Sequence, residues 1–181
     1  SYFFSDSFYG GYLAGQYLGR FQDYHKMYIT VSEERDDARR RLNGYCKGLE
    51  EAGYHFRDED ILECNIGIRS AFDCISRNIE LVTKQKTAIF TYSDLLAIGA
   101  VQALQHYGVN IPEQVQVVGM DDMPLTTMLQ PEISTIHVEV EEIVPKACHL
   151  LMELIEKKAV MQQEWVRPRL VVRETSLPIG R

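Results

Sequence analysis

Short β-branched and aromatic runs alternate along this chain with longer stretches whose apolar residues recur every three to four positions. That alternation constrains the fold more than any other feature. Strand-like runs fall at 2–5, 26–31 (KMYITV), 60–64, 87–91 (TAIFT), 114–119 (QVQVVG), 134–138 and 165–172. Helical recurrence falls at 8–21, 36–52, 71–83, 95–107 and 143–157. The 36–52 stretch has Asp36 and Asp37 where carboxylates suit the positive end of a helix, and Leu42, Tyr45, Cys46 and Leu49 form its apolar stripe. Gly53 then stands where a helix stops. Ser93 or Asp94 caps the 95–107 helix, and Gly108 follows it. Strands joined through helices imply right-handed βαβ units and a mainly parallel sheet. The fold class is α/β.

The 181 residues suit one domain or two small lobes, and 45% apolar content is enough for a core without staples. A net charge of −7 excludes this segment as a surface that neutralises phosphates, so direct nucleic-acid contact is not expected of it. No apolar run is long enough to cross a bilayer, and no membrane partner is expected. The opening Ser1-Tyr2-Phe3-Phe4-Ser5-Asp6 lacks a basic lead and an initiator Met; it reads as the inside of a domain, and a fragment is expected. The four cysteines, Cys46, Cys64, Cys74 and Cys148, lack CxxC or zinc-type spacing. Cys46 and Cys148 fall among helical apolar positions, as buried thiols do, and four free thiols favour a reducing cytoplasm. The five histidines are scattered, so no metal site is expected.

In an open parallel sheet, ligands bind at the carboxyl ends of the strands, where the following loops converge. After KMYITV come Glu33, Glu34, Arg35, Asp36 and Asp37, then Arg39, Arg40 and Arg41. After TAIFT come Tyr92, Ser93 and Asp94, and after QVQVVG come Asp121 and Asp122. Guanidinium forks, carboxylates and an aromatic face suit a polyhydroxylated ligand. No nucleophile, base and orienter stand at motif spacing, nor does a GxGxxG, a P-loop or a nucleophile elbow occur; neither catalysis nor a cofactor is expected.

Each element also has a plainer reading. Successive helical residues diverge by about 100°, so at most one or two of Arg39, Arg40 and Arg41 face a cleft and the others are solvated. Asp121-Asp122 beside Pro124 can simply shape a turn, and Asp94 can simply cap a helix.

The segment VVGMDDMPLTTMLQPEISTI (117–136) resembles a signature of the LacI/GalR family: a strand, Gly-x-Asp-Asp, a variable loop and a Pro-x-(Leu/Ile)-(Thr/Ser)-Thr-(Val/Ile) run. The stretch 88–115 is similar to the family's Asn-Asp-x-x-Ala-x-Gly helix and its exit. Arg41-Leu42-Asn43-Gly44-Tyr45, the opening SDSFYGGYLAGQYL and the ending RPRLVVRET also match. The resemblance implies a type I periplasmic-binding-protein-like fold, two lobes of parallel sheet flanked by helices, with the first part of the N-terminal lobe missing. It puts residues 1–24 and 139–161 in the N-terminal lobe and 25–138 with 162–181 in the C-terminal lobe. It also implies that Arg41 and Asp121 bind effector, that Ser93 sits at a polar contact position often held by Asn, and that Val140 falls at an apolar contact position. Tyr92, Asp94 and Arg39 complete the candidate set from the strand-end argument.

The function so implied is the effector-binding core of a homodimeric transcriptional repressor in the cytoplasm. It senses a small molecule, a sugar or sugar phosphate first among them, and reaches operator DNA only through a helix-turn-helix absent from this chain. Leu125, Met128 and Leu129 are candidates for the dimer interface. The alternative is a sugar-binding protein of a transport system, which shares the fold.

Overall fold

Strand β4 (Thr87–Thr91) is buried at every residue, because a run such as TAIFT with no polar alternation needs cover on both faces. The computed structural model describes residues 2–31, 35–156 and 163–178. Around β4 lie β2 (His25–Thr30) on one side and β5 (Val115–Asp121) on the other, in a six-stranded sheet of order β3-β2-β4-β5-β6-β8. Strands β3 (Ile61–Glu63) and β6 (Ser134–His137) extend it in parallel, and β8 (Arg169–Val171) runs antiparallel to β6. A separate two-stranded parallel sheet pairs β1 (Tyr2–Ser5) with β7 (Gln163–Val166).

Helices cover both faces of the large sheet. Helix α1 (Ser7–Gly19) starts where Asp6 Oδ1 accepts the Tyr9 amide at 3.0 Å, and it packs along α2 (Asp36–Glu51). That contact is a glycine seam. A Cβ on Gly11 would sit 2.0 Å from the Arg41 carbonyl oxygen, and one on Gly44 would sit 1.9 Å from that of Phe8. Gly15 and Gly48 continue the seam one turn on. Helix α3 (Ile68–Arg77) packs against α5 (Asp94–His106), while α6 (Val140–Ile155) meets β1.

Several boundaries differ from those expected. The 71–83 stretch is two helices, α3 and α4 (Ile79–Thr83), broken at Asn78, whose side-chain amide donates to the Cys74 carbonyl at 2.9 Å and so competes with the helix's own bonds. The expected strand 165–172 divides at Arg167 and Pro168, because Pro cannot donate to a ladder; β7 joins the small sheet and β8 the large one. Ala14, Tyr17, Leu18 and Tyr24 are buried in the same core as β2, β4 and β5. Cys148 is exposed on α6 rather than buried, and the buried thiol is Cys74.

Candidate functional site

The ends of β2, β4 and β5 lie at one edge because the three strands are parallel and adjacent. Arg41, on α2, is carried over that edge and is 8% exposed. Its Nη1 donates to the Tyr92 carbonyl oxygen, its Cζ lies 4.6 Å from the centroid of the Tyr92 ring, and its Nη2 is 3.6 Å from Asp121 Oδ1. The Tyr92 hydroxyl donates to Asp37 Oδ2 at 2.5 Å, and Arg35 Nε donates to Asp37 Oδ1 at 3.3 Å. Three segments of the sequence thus meet in one cluster.

Asp121 and Asp122 turn apart. Both have positive φ, 112° and 58°, so the chain swings sharply at the end of β5. Asp121 faces Arg41, whereas Asp122 accepts from Arg173 Nη2 at 2.6 Å and pairs with His137 Nδ1 at 2.8 Å. Burial pushes the Asp121 carboxyl up to about 6, with Arg41 pulling it down and Asp37 adding to the rise. Burial also opposes ionisation of Asp122, yet Arg173 and His137 hold it below the usual carboxylate range. Asp37 behaves alike: burial acts against it, and hydrogen bonds from Tyr92 and Arg35 prevail.

Two buried polar atoms at this edge, Arg41 Nε and Ser93 Oγ, have no hydrogen-bond partner among the described residues. Such atoms are costly to leave unmatched, and a polar ligand with an acceptor and a hydroxyl would satisfy both. The fork of Arg41, the Asp121 carboxyl and the Ser93 hydroxyl are hydrogen-bonding groups gathered at one strand-end edge. No activated nucleophile stands among them.

Other candidates take different places. Tyr92 is 5% exposed with its ring against the Arg41 guanidinium, so it positions Arg41 and offers no open face to a sugar. Asp94 is fully buried: Oδ1 accepts from the Thr135 hydroxyl at 2.6 Å and Oδ2 from the Met123 amide at 2.7 Å. It bolts α5 to β6 and to the turn after β5, and it contributes no free group to a ligand. Ser93 occupies the N-cap position of α5 without making a side-chain cap bond. Arg39 points outward and bonds Asp36 at 2.7 Å, on the solvated face of α2. Val140 opens α6 and is half exposed. Glu33 and Glu34 lie outside the described residues.

Sequence reasoning missed two features at the strand ends. A cavity of about 850 Å³ follows β3, lined among others by Cys64, Asn65, Ile66, Arg69 and Arg77. Only Gly67, at φ +128°, hinted at an unusual loop there. The second feature is an ion-pair chain from Arg173 through Asp122, His137 and Glu139 to Arg169, drawn from segments that no spacing connects. Among the described residues, His137, Glu139 and Glu141 bring three possible metal-ligating atoms within 4.8 Å. His137 and Glu139 are already engaged in that chain.

The profile of the periplasmic binding protein-like domain matches residues 23–176. The chain is 30% identical over 173 residues to the HTH-type transcriptional repressor PurR of Mannheimia succiniciproducens, which accounts for 94% of this chain and 51% of that protein. It spans about half the length of the curated relatives it matches. Among solved structures, a regulatory protein of the LacI family from Chloroflexus aggregans superposes with a TM-score of 0.87 at 24% identity, covering 96% of this chain and 63% of that one. A LacI family transcriptional regulator from Enterococcus faecium with bound ribose gives 0.86 at 20% identity, covering 98% and 66%. These likenesses are consistent with the effector-binding core of LacI/GalR regulators.

Proposed function

The chain belongs to the periplasmic-binding-protein-like domain family, and from that premise we propose that it is the effector-sensing core of a LacI/GalR-type transcriptional repressor. The observation that carries this reading is the buried Arg41–Tyr92–Asp121 cluster, with Arg41 Nε and Ser93 Oγ unmatched beside it at the strand ends. The ligand is a small polar molecule, a sugar or sugar phosphate in the first instance; the ribose-bound relative supports that class. Binding is the function, not turnover.

In this reading β1, β7 and α6 belong to a second lobe and effector is held between the lobes. Effector shifts the population of lobe arrangements in a cytoplasmic homodimer, and so alters how DNA-binding heads outside this chain fit an operator. It can do so only through a difference in affinity for the two arrangements. A role in solute transport has less support, since the curated relatives that match along the chain are repressors.

Calorimetry on the intact parent protein with sugars, sugar phosphates and purines tests the site. Binding of a sugar abolished by both Arg41→Ala and Asp121→Ala is the expected result. Saturable binding untouched by either change would overturn the site.

A further inference from the structure

Two guanidiniums lie against the Tyr92 ring, Arg41 at 4.6 Å and Arg35 at 5.8 Å from its centroid. Each faces a carboxylate. Arg41 Nη2 is 3.6 Å from Asp121 Oδ1, while Arg35 Nε and Nη2 donate to the two oxygens of Asp37 at 3.3 and 3.4 Å. Asp37 has a second tie, because its Oδ2 also accepts the Tyr92 hydroxyl at 2.5 Å. Tyr92 is buried, whereas the Arg35 side chain is 52% exposed. The Asp37 carboxylate therefore stays in place even when Arg35 turns out into solvent.

We propose that Asp37 is a specificity-determining residue of the effector cleft, a fixed negative charge that makes the cleft select an uncharged polyhydroxylated ligand over its phosphate ester. The inference rests on the effector reading above and narrows its ligand class. Charge is the first reason. Among the described residues, the two guanidiniums at the Tyr92 ring are matched one to one by Asp37 and Asp121, so neither is left over for an added anion. Both carboxylates are ionised at neutral pH: Asp37 is held below the usual range, and the Asp121 value of about 6 still lies under 7. A phosphate monoester brings a charge of about −1.5 to −2 at pH 7. At a partly buried edge its repulsion from two carboxylates is less screened than in bulk solvent.

Hydrogen bonding is the second reason. The Asp121 side chain is 37% exposed and, as a carboxylate, only accepts. A sugar hydroxyl donates to such a group and accepts from a neighbouring donor, whereas a phosphate dianion only accepts and would set acceptor against acceptor. Arginine ordinarily grips phosphate through two parallel N–H bonds. At Arg41 those directions are taken, Nη1 by the Tyr92 carbonyl oxygen and Nη2 toward Asp121. At Arg35 the Nε and Nη2 edge that phosphate would use is held by Asp37. Asparagine at position 37 keeps an oxygen for the Tyr92 hydroxyl and removes only the charge, so Asp37→Asn separates the electrostatic role from the scaffold.

The test is calorimetry on the intact parent protein and its Asp37→Asn variant, with inorganic phosphate as the probe. The parent is expected to show no saturable phosphate binding at millimolar concentration. Asp37→Asn is expected to raise phosphate affinity at least about tenfold, in a form that added salt weakens and that Arg35→Ala in the same chain removes. Phosphate binding by the parent that Arg41→Ala abolishes would overturn the proposal while leaving the cleft as the effector site. So would an Asp37→Asn variant that binds phosphate no better than the parent, or one whose gain survives both Arg35→Ala and Arg41→Ala. The effector reading fails by a different result: an uncharged ligand that binds the parent and is indifferent to Arg41→Ala and Asp121→Ala.

Discussion

Arg41 meets Tyr92 twice: its guanidinium donates to the Tyr92 carbonyl oxygen and lies against the Tyr92 ring, 4.6 Å from the centroid. The backbone of the β4–α5 junction and an aromatic face together hold the fork, which leaves Nη2 toward Asp121 and Nε unmatched. A lysine keeps the charge but neither the planar stack nor the paired donors. Arg41→Lys is therefore expected to weaken effector binding at least about tenfold, close to Arg41→Ala, with a melting temperature near that of the parent. Calorimetry that finds the lysine variant within twofold of the parent would show that charge alone suffices.

Asp121 sets affinity against stability. Its φ of 112° is strained for a residue with a side chain, at a cost of about 1–3 kcal/mol, and glycine relieves it at an entropic cost of about 0.5–1 kcal/mol. Asp121→Gly should raise stability by about 1 kcal/mol and weaken binding, because the carboxylate facing Arg41 is lost. Urea unfolding checks the first half; a lower midpoint than the parent's would contradict the strain argument.

Burial raises the Asp94 carboxyl to about 7 despite its bonds to Thr135 and Met123, and raises Asp121 to about 6. Between the ordinary value of 3.8 and these values, the folded chain binds more protons than the unfolded one. Stability from these groups is thus present at low pH and declines as pH rises through about 4 to 7. The melting temperature is expected to fall from pH 5.5 to 7.5, and the fall should shrink in Asp94→Asn. Asp94→Ala, which strands the Thr135 hydroxyl and the Met123 amide, should cost about 3 kcal/mol at pH 5.5 and less at pH 7.5, where the parent has lost part of the Asp94 contribution. An unchanged slope in Asp94→Asn would assign the pH dependence to other groups.

The α1–α2 seam has no room for a methyl group. Gly44→Ala places a Cβ 1.9 Å from the Phe8 carbonyl oxygen, and backbone atoms cannot move aside as a side-chain end does. A loss of about 3 kcal/mol is expected, seen as a lower thermal midpoint. Arg41 lies one turn before Gly44, so weaker effector binding should accompany it. A variant as stable as the parent would mean that the helices separate freely.

Met128 is 73% exposed and Leu125 42% exposed beside it, an apolar pair on the 3₁₀ turn after β5. If this surface joins two copies, Met128→Glu shifts the parent protein toward monomer in sedimentation velocity at micromolar concentration. Unchanged sedimentation of a dimeric parent would place the interface elsewhere.

Local pattern made the α/β class legible, since TAIFT has no polar alternation and reads as an interior strand of a covered sheet, and strand-like runs alternate with helical ones. That Arg41, Ser93 and Asp121 come to one edge was legible for a related reason: each lies at or beyond the carboxyl end of a strand, and parallel strands deliver such residues to one edge. Which way Asp94 faces was not legible, because its place beside Ser93 looks the same whether it meets ligand or core. Thr135 and Met123, far along the chain, decide that. Arg39 and Arg41 were equally basic in sequence, and the rotation of α2 against α1 separated them.

The amino-acid order by itself therefore determined the alternation of elements, the edge where a ligand site can form and the residues delivered to it, because strand and helix periods are local properties of the chain. Tertiary structure alone decided which of those residues stays available. The glycine seam sets the position of α2, and the paired positive φ angles turn Asp121 and Asp122 to opposite tasks. Each of these depends on packing between segments distant in sequence, where burial and mutual contact, not spacing, fix the state of a side chain.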